Sequence, residues 1–317
     1  MNHHLNVAAI LCVRMSSERL PGKPLVSYSP NGKTNLDIIV ERVLTSRHSV
    51  RLVIATSTDS SDSVIVHHAR TRGYPVYRGS LDNVMARFDG ALNEHAKDAE
   101  YIWRVMGDCP LVDVGLTDWR LDVLHRNQAD VMTILQPEPT YAAQASVWSR
   151  EAWDKCARLS SGSLLQHPGE FIYESLGNFK TLHEVGPENV YYQDIRTELD
   201  TPEDLKFFKR VWKEYPPSLP FEDVNIEARS ITYFDGDKSY DTKPVLTWLS
   251  SRPDIVAINQ HIEMRTKSTH LHGHHRARNF VCEACRERGV KTILATKIND
   301  ALELQCPTCG TPRRFYV

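Results

Sequence analysis

Arg14-Met15-Ser16-Ser17-Glu18-Arg19-Leu20-Pro21-Gly22-Lys23-Pro24-Leu25 is the stretch whose reading decides the fold of this chain. It follows the apolar run from Val7 to Val13, which has the length and β-branched content of one buried strand. The stretch places three cations, a Pro-Gly corner and several hydroxyls straight off that strand's carboxyl end. In an open α/β sheet, ligands bind at that end. Arg14, Arg19 and Lys23 around Gly22 suit a polyphosphate: guanidinium forks grip oxygens in pairs, lysine adds a point charge, and glycine lets backbone amides approach closely. A solvated basic loop on an ordinary α/β domain is the competing reading of these residues alone.

Outward from the loop, strand and helix patterns alternate. Helical spacing covers Leu36 to Leu44, Ser63 to Arg72 and about Asp82 to His95, and strands are expected at Arg51 to Ala55, Pro75 to Tyr77 and Tyr101 to Met106. Such alternation predicts a largely parallel sheet covered on both faces. Beyond residue 130 the pattern loosens: Val131 to Leu135, Ala142 to Val147, Phe179 to Val185 and Gln193 to Leu199 are strand candidates, with a helix from about Arg150 to Leu159. Thr201-Pro202-Glu203-Asp204 opens another helix, with threonine as N-cap, proline at the first helical position and acids in the first turn. Pro216-Pro217-Ser218-Leu219-Pro220 reads as a stiff boundary. The expected organisation is a domain over 1–215, a linker or extension of unassigned role over 216–275, and a small module over 276–317.

That last module is read from its cysteines. Cys282-x-x-Cys285, twenty intervening residues and Cys306-x-x-Cys309 have the spacing of a four-thiolate zinc ribbon. The expectation is one structural Zn²⁺ holding a tail too small for its own core. Cys12, Cys109 and Cys156 read as single reduced thiols, and His270, His272, His274 and His275 as a solvated connector. The net charge of −2 hides an asymmetry, because residues 265–317 carry +6 and residues 1–264 carry −8. A basic tail could touch nucleic acid or stand as a solvated surface, and ribbons also serve as dimer or packing elements. No apolar run approaches the ~18 residues of a membrane helix, and the start carries no cleavage-site pattern, so a cytoplasmic protein is expected.

The loop also carries a resemblance. Arg14-x-x-Ser17-x-Arg19-Leu20-Pro21-Gly22-Lys23-Pro24-Leu25 resembles the nucleotide-binding signature of sugar cytidylyltransferases, notably the CMP-Kdo synthetases and the spore-coat polysaccharide (SpsF-like) proteins. Arg104-x-x-Gly107-Asp108-x-Pro110-Leu111-x-Asp113 resembles their second motif, whose aspartate binds the metal. Read from its position alone, Asp108 is a carboxylate at a strand end facing the loop's crevice, suited to the Mg²⁺ of a nucleoside triphosphate, or a simple turn residue. Arg196-Thr197-x-x-Asp200-Thr201-Pro202-Glu203-Asp204-Leu205 is similar to a third element, whose first aspartate is the second metal ligand. Arg78-Gly79-Ser80-x-Asp82-x-Val84-x-x-Arg87 resembles the SpsF-like segment facing base and ribose, and departs from the Ser-Gly-Thr-Glu-Arg-type stretch of CMP-Kdo synthetases. The region of His167 and Gly169-Glu170-Phe171-Ile172-Tyr173 resembles the SpsF-like acceptor region.

The resemblance spans about residues 6 to 213. It implies a Rossmann-like, glycosyltransferase A-type α/β nucleotidyltransferase with a mixed, mostly parallel sheet, transferring CMP from CTP to a sugar, sugar phosphate or related acceptor. Arg14, Arg19, Lys23, Asp108 and Asp200 would be catalytic, with Mg²⁺ on Asp108 and Asp200. Met15, Ser16, Ser17, Gly22, Arg78, Gly79, Ser80, Asp82, Arg87 and Gly107 would join Arg14, Arg19, Lys23 and Asp108 in binding nucleotide. His167 and Arg196 would face the acceptor. Two other readings stay open at this point: a glycosyltransferase on the same fold, and a nucleic-acid-binding protein acting through the ribbon.

Overall fold

A computed structural model describes residues 4–134, 146–184, 195–215, 242–262, 292–298, 301–305 and 312–316. Strand β1 (Asn6–Cys12) is its axis, with Val7, Ala9 and Leu11 entering one core and Ala8 and Ile10 another. A strand apolar on both faces belongs inside a parallel sheet. Accordingly β1 lies between β2 (Ser49–Ser57) and β4 (Tyr101–Met106), parallel to both, and β3 (Val76–Gly79) pairs parallel with β2. Chain order therefore runs outward from β1 through β2 and β3, then returns to β4 on its other side. That reversal is a topological switch point, where open α/β sheets leave a crevice.

β5 (Val131–Ile134), β6 (Ser146–Ser149) and β7 (Thr181–Glu184) complete the body of the sheet, with β6 antiparallel between β4 and β5. Four of the six pairings within β1 to β7 are parallel, which is the mixed, mostly parallel sheet expected. The tail strands β8 (Thr292–Ile298), β9 (Ala301–Gln305) and β10 (Pro312–Tyr316) are antiparallel and extend this sheet from the edge of β7. The described tail residues thus continue the main sheet. The cysteines of the expected zinc ribbon, the histidine connector and the proline-rich boundary all lie outside the described residues.

Helices α1 (Asn35–Val43), α2 (Ser63–Thr71), α3 (Val84–His95), α4 (Val114–Asn127), α5 (Arg150–Leu159) and α6 (Glu170–Glu174) cover the two faces, α1, α2 and α4 on one and α3, α5 and α6 on the other. Two expectations change. α4 was not predicted, because eight of its fourteen residues are buried, Asp118 and Arg120 among them, and no polar stripe marks it. Residues 195–199, read as strand, form no ladder: they run extended into α7 (Pro202–Glu214), and the Leu199 amide donates to the Asp108 carbonyl at 2.8 Å.

The extension of unassigned role has a definite place. α8 (Lys243–Ser250) and α9 (Pro253–Val256) bury Val245, Leu246, Leu249 and Ile255 in a third core with Phe207, Phe208 and Val211 of α7. Leu20, Leu111 and Leu199 belong to the same core. Each is close in sequence to a chemistry-bearing residue, so this core backs the loop, the Asp108 turn and Asp200 together. Among the described residues no helix is long and apolar enough to cross a membrane.

Candidate active site

The arginine loop leaves β1 and Gly107-Asp108 leaves the neighbouring β4, so the switch point brings both to one edge. The loop is tied internally by Ser17 and Gly22 amides donating to the Met15 carbonyl at 2.9 and 3.0 Å. Gly22 sits at φ 75°, the left-handed region that lets the chain turn into a short 3₁₀ segment, Lys23–Leu25. Buried Asp62 anchors the loop from outside: one carboxylate oxygen accepts from the Met15 amide at 2.7 Å and the other from the Ser57 amide at 3.1 Å. The sequence reading missed Asp62. Its signal was an aspartate between a strand end and a helix start, a position that also suits a plain cap.

The Asp108 turn is held from two sides. Asn35, fully buried at the start of α1, donates to the Gly107 carbonyl at 2.8 Å and accepts from the Tyr28 hydroxyl at 2.9 Å. On its other side stands the Leu199 amide, so Asp200 is delivered next to Asp108. Asp204 fixes Asp200 in turn, accepting from the Asp200 and Thr201 amides at 2.9 Å each.

At the centre, the Lys23 ammonium lies 3.3 Å from an Asp108 oxygen and 2.9 Å from an Asp200 oxygen. Arg19 pairs with the second Asp200 oxygen. Two carboxylates thus converge on one point that already favours positive charge. Oxygen donors of this kind suit Mg²⁺, which is held by one or two carboxylates and completes its shell with water and phosphate oxygens. The residues present fit that ion: Asp108 and Asp200 would hold it.

These groups line a cleft of about 490 Å³ with Arg14, Ser16, Ser17, Glu18, Arg87, Arg104, Gln166 and His167. Of the nucleotide-binding residues expected from sequence, Arg14, Ser16, Ser17, Arg19, Lys23, Arg87, Gly107 and Asp108 line it. Met15 and Gly22 shape the loop behind it. Arg78 is turned to other work, donating to the Ser57 carbonyl at 3.0 Å and the Asp59 carbonyl at 2.8 Å. Ser80 and Asp82 present carbonyls to Arg87 and Gln166. Gly79 packs against Arg87, whose Cγ lies 2.9 Å from where a Cβ would stand.

His167 lines the cleft, and Arg196 does not. Arg196 is 6% exposed, with Nε and Nη2 on Asp204 at 2.9 and 3.0 Å and Nη1 on Glu198 at 2.8 Å. Burial works against its charge, and the two carboxylates more than offset it, raising its pKa above the ordinary value. Arg196 therefore bears on Asp200 through Asp204 and is not among the residues that line the cleft. Glu198 has its pKa raised, first by burial and then by the nearby Asp108 charge. Cys12, Arg104 and Gln166 are cleft residues that were not picked from sequence.

The family model described as Cytidylyltransferase matches residues 8–214. The spore coat polysaccharide biosynthesis protein SpsF of Bacillus subtilis is 30% identical over 217 residues, covering 66% of this chain and 87% of the relative. An uncharacterized protein of Methanocaldococcus jannaschii is 26% identical over 269 residues, 83% of this chain and 98% of the relative. Among solved structures, a cytidylyltransferase from Leptospira borgpetersenii shares the fold with a TM-score of 0.65 at 22% identity, covering 82% of this chain and 99% of that one. With about two thirds of its length inside the family model, this chain belongs to the cytidylyltransferase family.

Proposed function

We propose that the protein transfers CMP from CTP to a sugar, sugar phosphate or related small acceptor, releasing pyrophosphate with the help of Mg²⁺. The observation that carries this reading is the convergence of Lys23 and Arg19 with Asp108 and Asp200 in one cleft at the switch point. The similarity to a polysaccharide biosynthesis protein supports a sugar-like acceptor.

The chemistry asks for few groups. An acceptor oxygen attacks the α-phosphorus in line with the departing pyrophosphate, so negative charge builds on the phosphoryl oxygens and on the leaving group. Arg14, Arg19 and Lys23, which line the cleft, would grip that pyrophosphate and stabilise its charge. Mg²⁺, when bound, supplies charge neutralisation at the transferring phosphate. Asp108 and Asp200 fix the reacting centre against the β4 and α7 ends, and their rigid anchoring by Asn35 and Asp204 keeps the geometry. Positioning and electrostatics do most of the work in phosphoryl-type transfers.

The test is a pyrophosphate-release screen of the four nucleoside triphosphates against phosphorylated and acidic sugars. CTP is expected to be preferred, and Asp108→Asn and Asp200→Asn are each expected to lose turnover by on the order of 10²-fold or more. Near-normal release from both variants at saturating Mg²⁺ sinks the assignment. Transfer of an intact sugar without pyrophosphate release points instead to a glycosyltransferase.

A further inference from the structure

The turn that carries Asp108 has no regular structure to hold it. Residues 107–113 run from the end of β4 to the start of α4 as neither strand nor helix, so their backbone groups need partners from elsewhere. Helix α1 supplies two of them. Asn35 takes the Gly107 carbonyl, and Arg42, 2% exposed, donates to the Val112 carbonyl through Nε at 3.1 Å and Nη2 at 3.0 Å. A further set comes from the extension beyond α7. The Thr242 hydroxyl donates to the Leu111 carbonyl at 2.6 Å and accepts from Arg42 Nη2 at 3.3 Å, and the Thr242 amide donates to the Asp113 carboxylate at 3.2 Å. A guanidinium has only donors, so the one hydroxyl proton of Thr242 is committed to Leu111. The other Asp113 oxygen caps α4, accepting from the Leu116 amide at 2.7 Å. Thr242, 1% exposed, thus ties the far end of the Asp108 turn to α1 and to the α4 cap.

The second carboxylate is held from the same extension. Asn259, which follows α9, donates through Nδ2 to Asp204 Oδ1 at 2.9 Å and to the Arg196 carbonyl at 3.2 Å. Asp204 uses its other oxygen to hold the Asp200 and Thr201 amides, so Asn259 closes the network that sets Asp200. The Asn259 Oδ1 is buried and has no partner among the described residues. A buried acceptor left unpaired costs stability, a cost that an apolar side chain at this place would not incur. Its donor bonds to the Asp200 support are what the amide adds. Both Thr242 and Asn259 lie beyond residue 214, where the family match ends.

We propose that Thr242 and Asn259 are positioning residues for the two metal carboxylates, Thr242 for Asp108 and Asn259 for Asp200, so that the extension completes the active site. This rests on the nucleotidyl-transfer reading above and adds to it the segment that sets the spacing of the two acids. Groups that orient ligating side chains from behind tune metal affinity in this way.

The test uses the full chain and three readouts: Mn²⁺ affinity of the nucleotide-free protein by electron paramagnetic resonance, kcat and KM for pyrophosphate release from CTP, and urea unfolding. Thr242→Val and Asn259→Leu keep the volume and lose the polar ties. Each is expected to weaken Mn²⁺ binding and to lower kcat by about tenfold, with the KM for CTP within about twofold. Thr242→Ser keeps the hydroxyl and is expected to stay within about twofold of wild type in both. A merely structural role moves only the urea midpoint, so Mn²⁺ affinity and kcat unchanged per folded molecule overturn the inference. Equal losses in Thr242→Ser and Thr242→Val overturn it too, because the methyl group and not the hydroxyl then matters. Should Thr242→Val fail to fold, Asn259→Leu decides: a loss of Mn²⁺ affinity supports the inference and an unchanged value overturns it. Variants weakened toward Mn²⁺ in a wild type that releases no pyrophosphate overturn the nucleotidyl reading and leave the positioning of the two acids standing. A wild type that binds no Mn²⁺ overturns both.

Discussion

Lys23 occupies the point between Asp108 and Asp200, at 3.3 and 2.9 Å, that a divalent cation would take. In the nucleotide-free chain the two carboxylates are thus already neutralised, and an incoming cation competes with the ammonium for the same oxygens. Lys23→Met is expected to tighten Mn²⁺ binding to the nucleotide-free protein, by about tenfold for the loss of one close competing charge. The same variant should release pyrophosphate more slowly. Unchanged or weaker Mn²⁺ affinity, read by electron paramagnetic resonance, would count against the competition. Arg196 shows where residue-level reading stops. The resemblance made Arg196, four residues before Asp200, an acceptor contact, but sequence does not tell whether a guanidinium faces a cleft or a buried carboxylate. Here Asp204, itself fully buried, takes it.

At the level of elements, α7 and α9 are joined by a charged clasp. Arg210 and Arg252 meet Glu214 and Asp254, with Arg210 to Asp254 and Arg252 to Asp254 at 2.9 Å. Hydrogen bonds from Arg210 and Arg252 hold Glu214 down at a pKa of about 2, and Arg252 above all does the same for Asp254. Folded pKa values below the unfolded ones mean stabilisation that is complete above the ordinary carboxylate range and lost as pH falls toward about 2. The protection of residues 242–262 against hydrogen exchange, taken relative to the intrinsic amide rate at each pH, should therefore fall between about pH 4.5 and 2, weakly and with salt sensitivity because the clasp is exposed. Protection that stays flat over that window would sink the idea. Legibility followed burial pattern. β1 was readable because five consecutive apolar residues fill both cores, and α7 because Thr201 and Asp204 form a reciprocal cap. α4 was not, since it is covered nearly all round, and 195–199 misled because apolar and β-branched residues in an extended run look like a paired strand.

For the molecule as a whole, the family match ends at residue 214, yet the third core does not. Val245, Leu246, Leu249 and Ile255 are each at most 2% exposed. At about 1.5–3 kcal/mol per buried apolar side chain, they contribute on the order of 6–12 kcal/mol, comparable to the roughly 5–15 kcal/mol net stability of a whole domain. A chain ending at Tyr215 should lose most of its cooperative unfolding transition in urea, whereas one ending at Ile262 keeps it. A truncated protein as stable as the longer one would refute this. The sequence reading assigned that stretch no role, because its two short helices follow a long run with no clear period. The pairing at the centre of the cleft has a temporal side as well. Lys23 and Asp200 are 177 positions apart, and contacts of such separation close slowly during folding. A ribosome therefore delivers the arginine loop and Asp108 long before their partner emerges, so the cleft is completed only once nearly the whole domain has been synthesised.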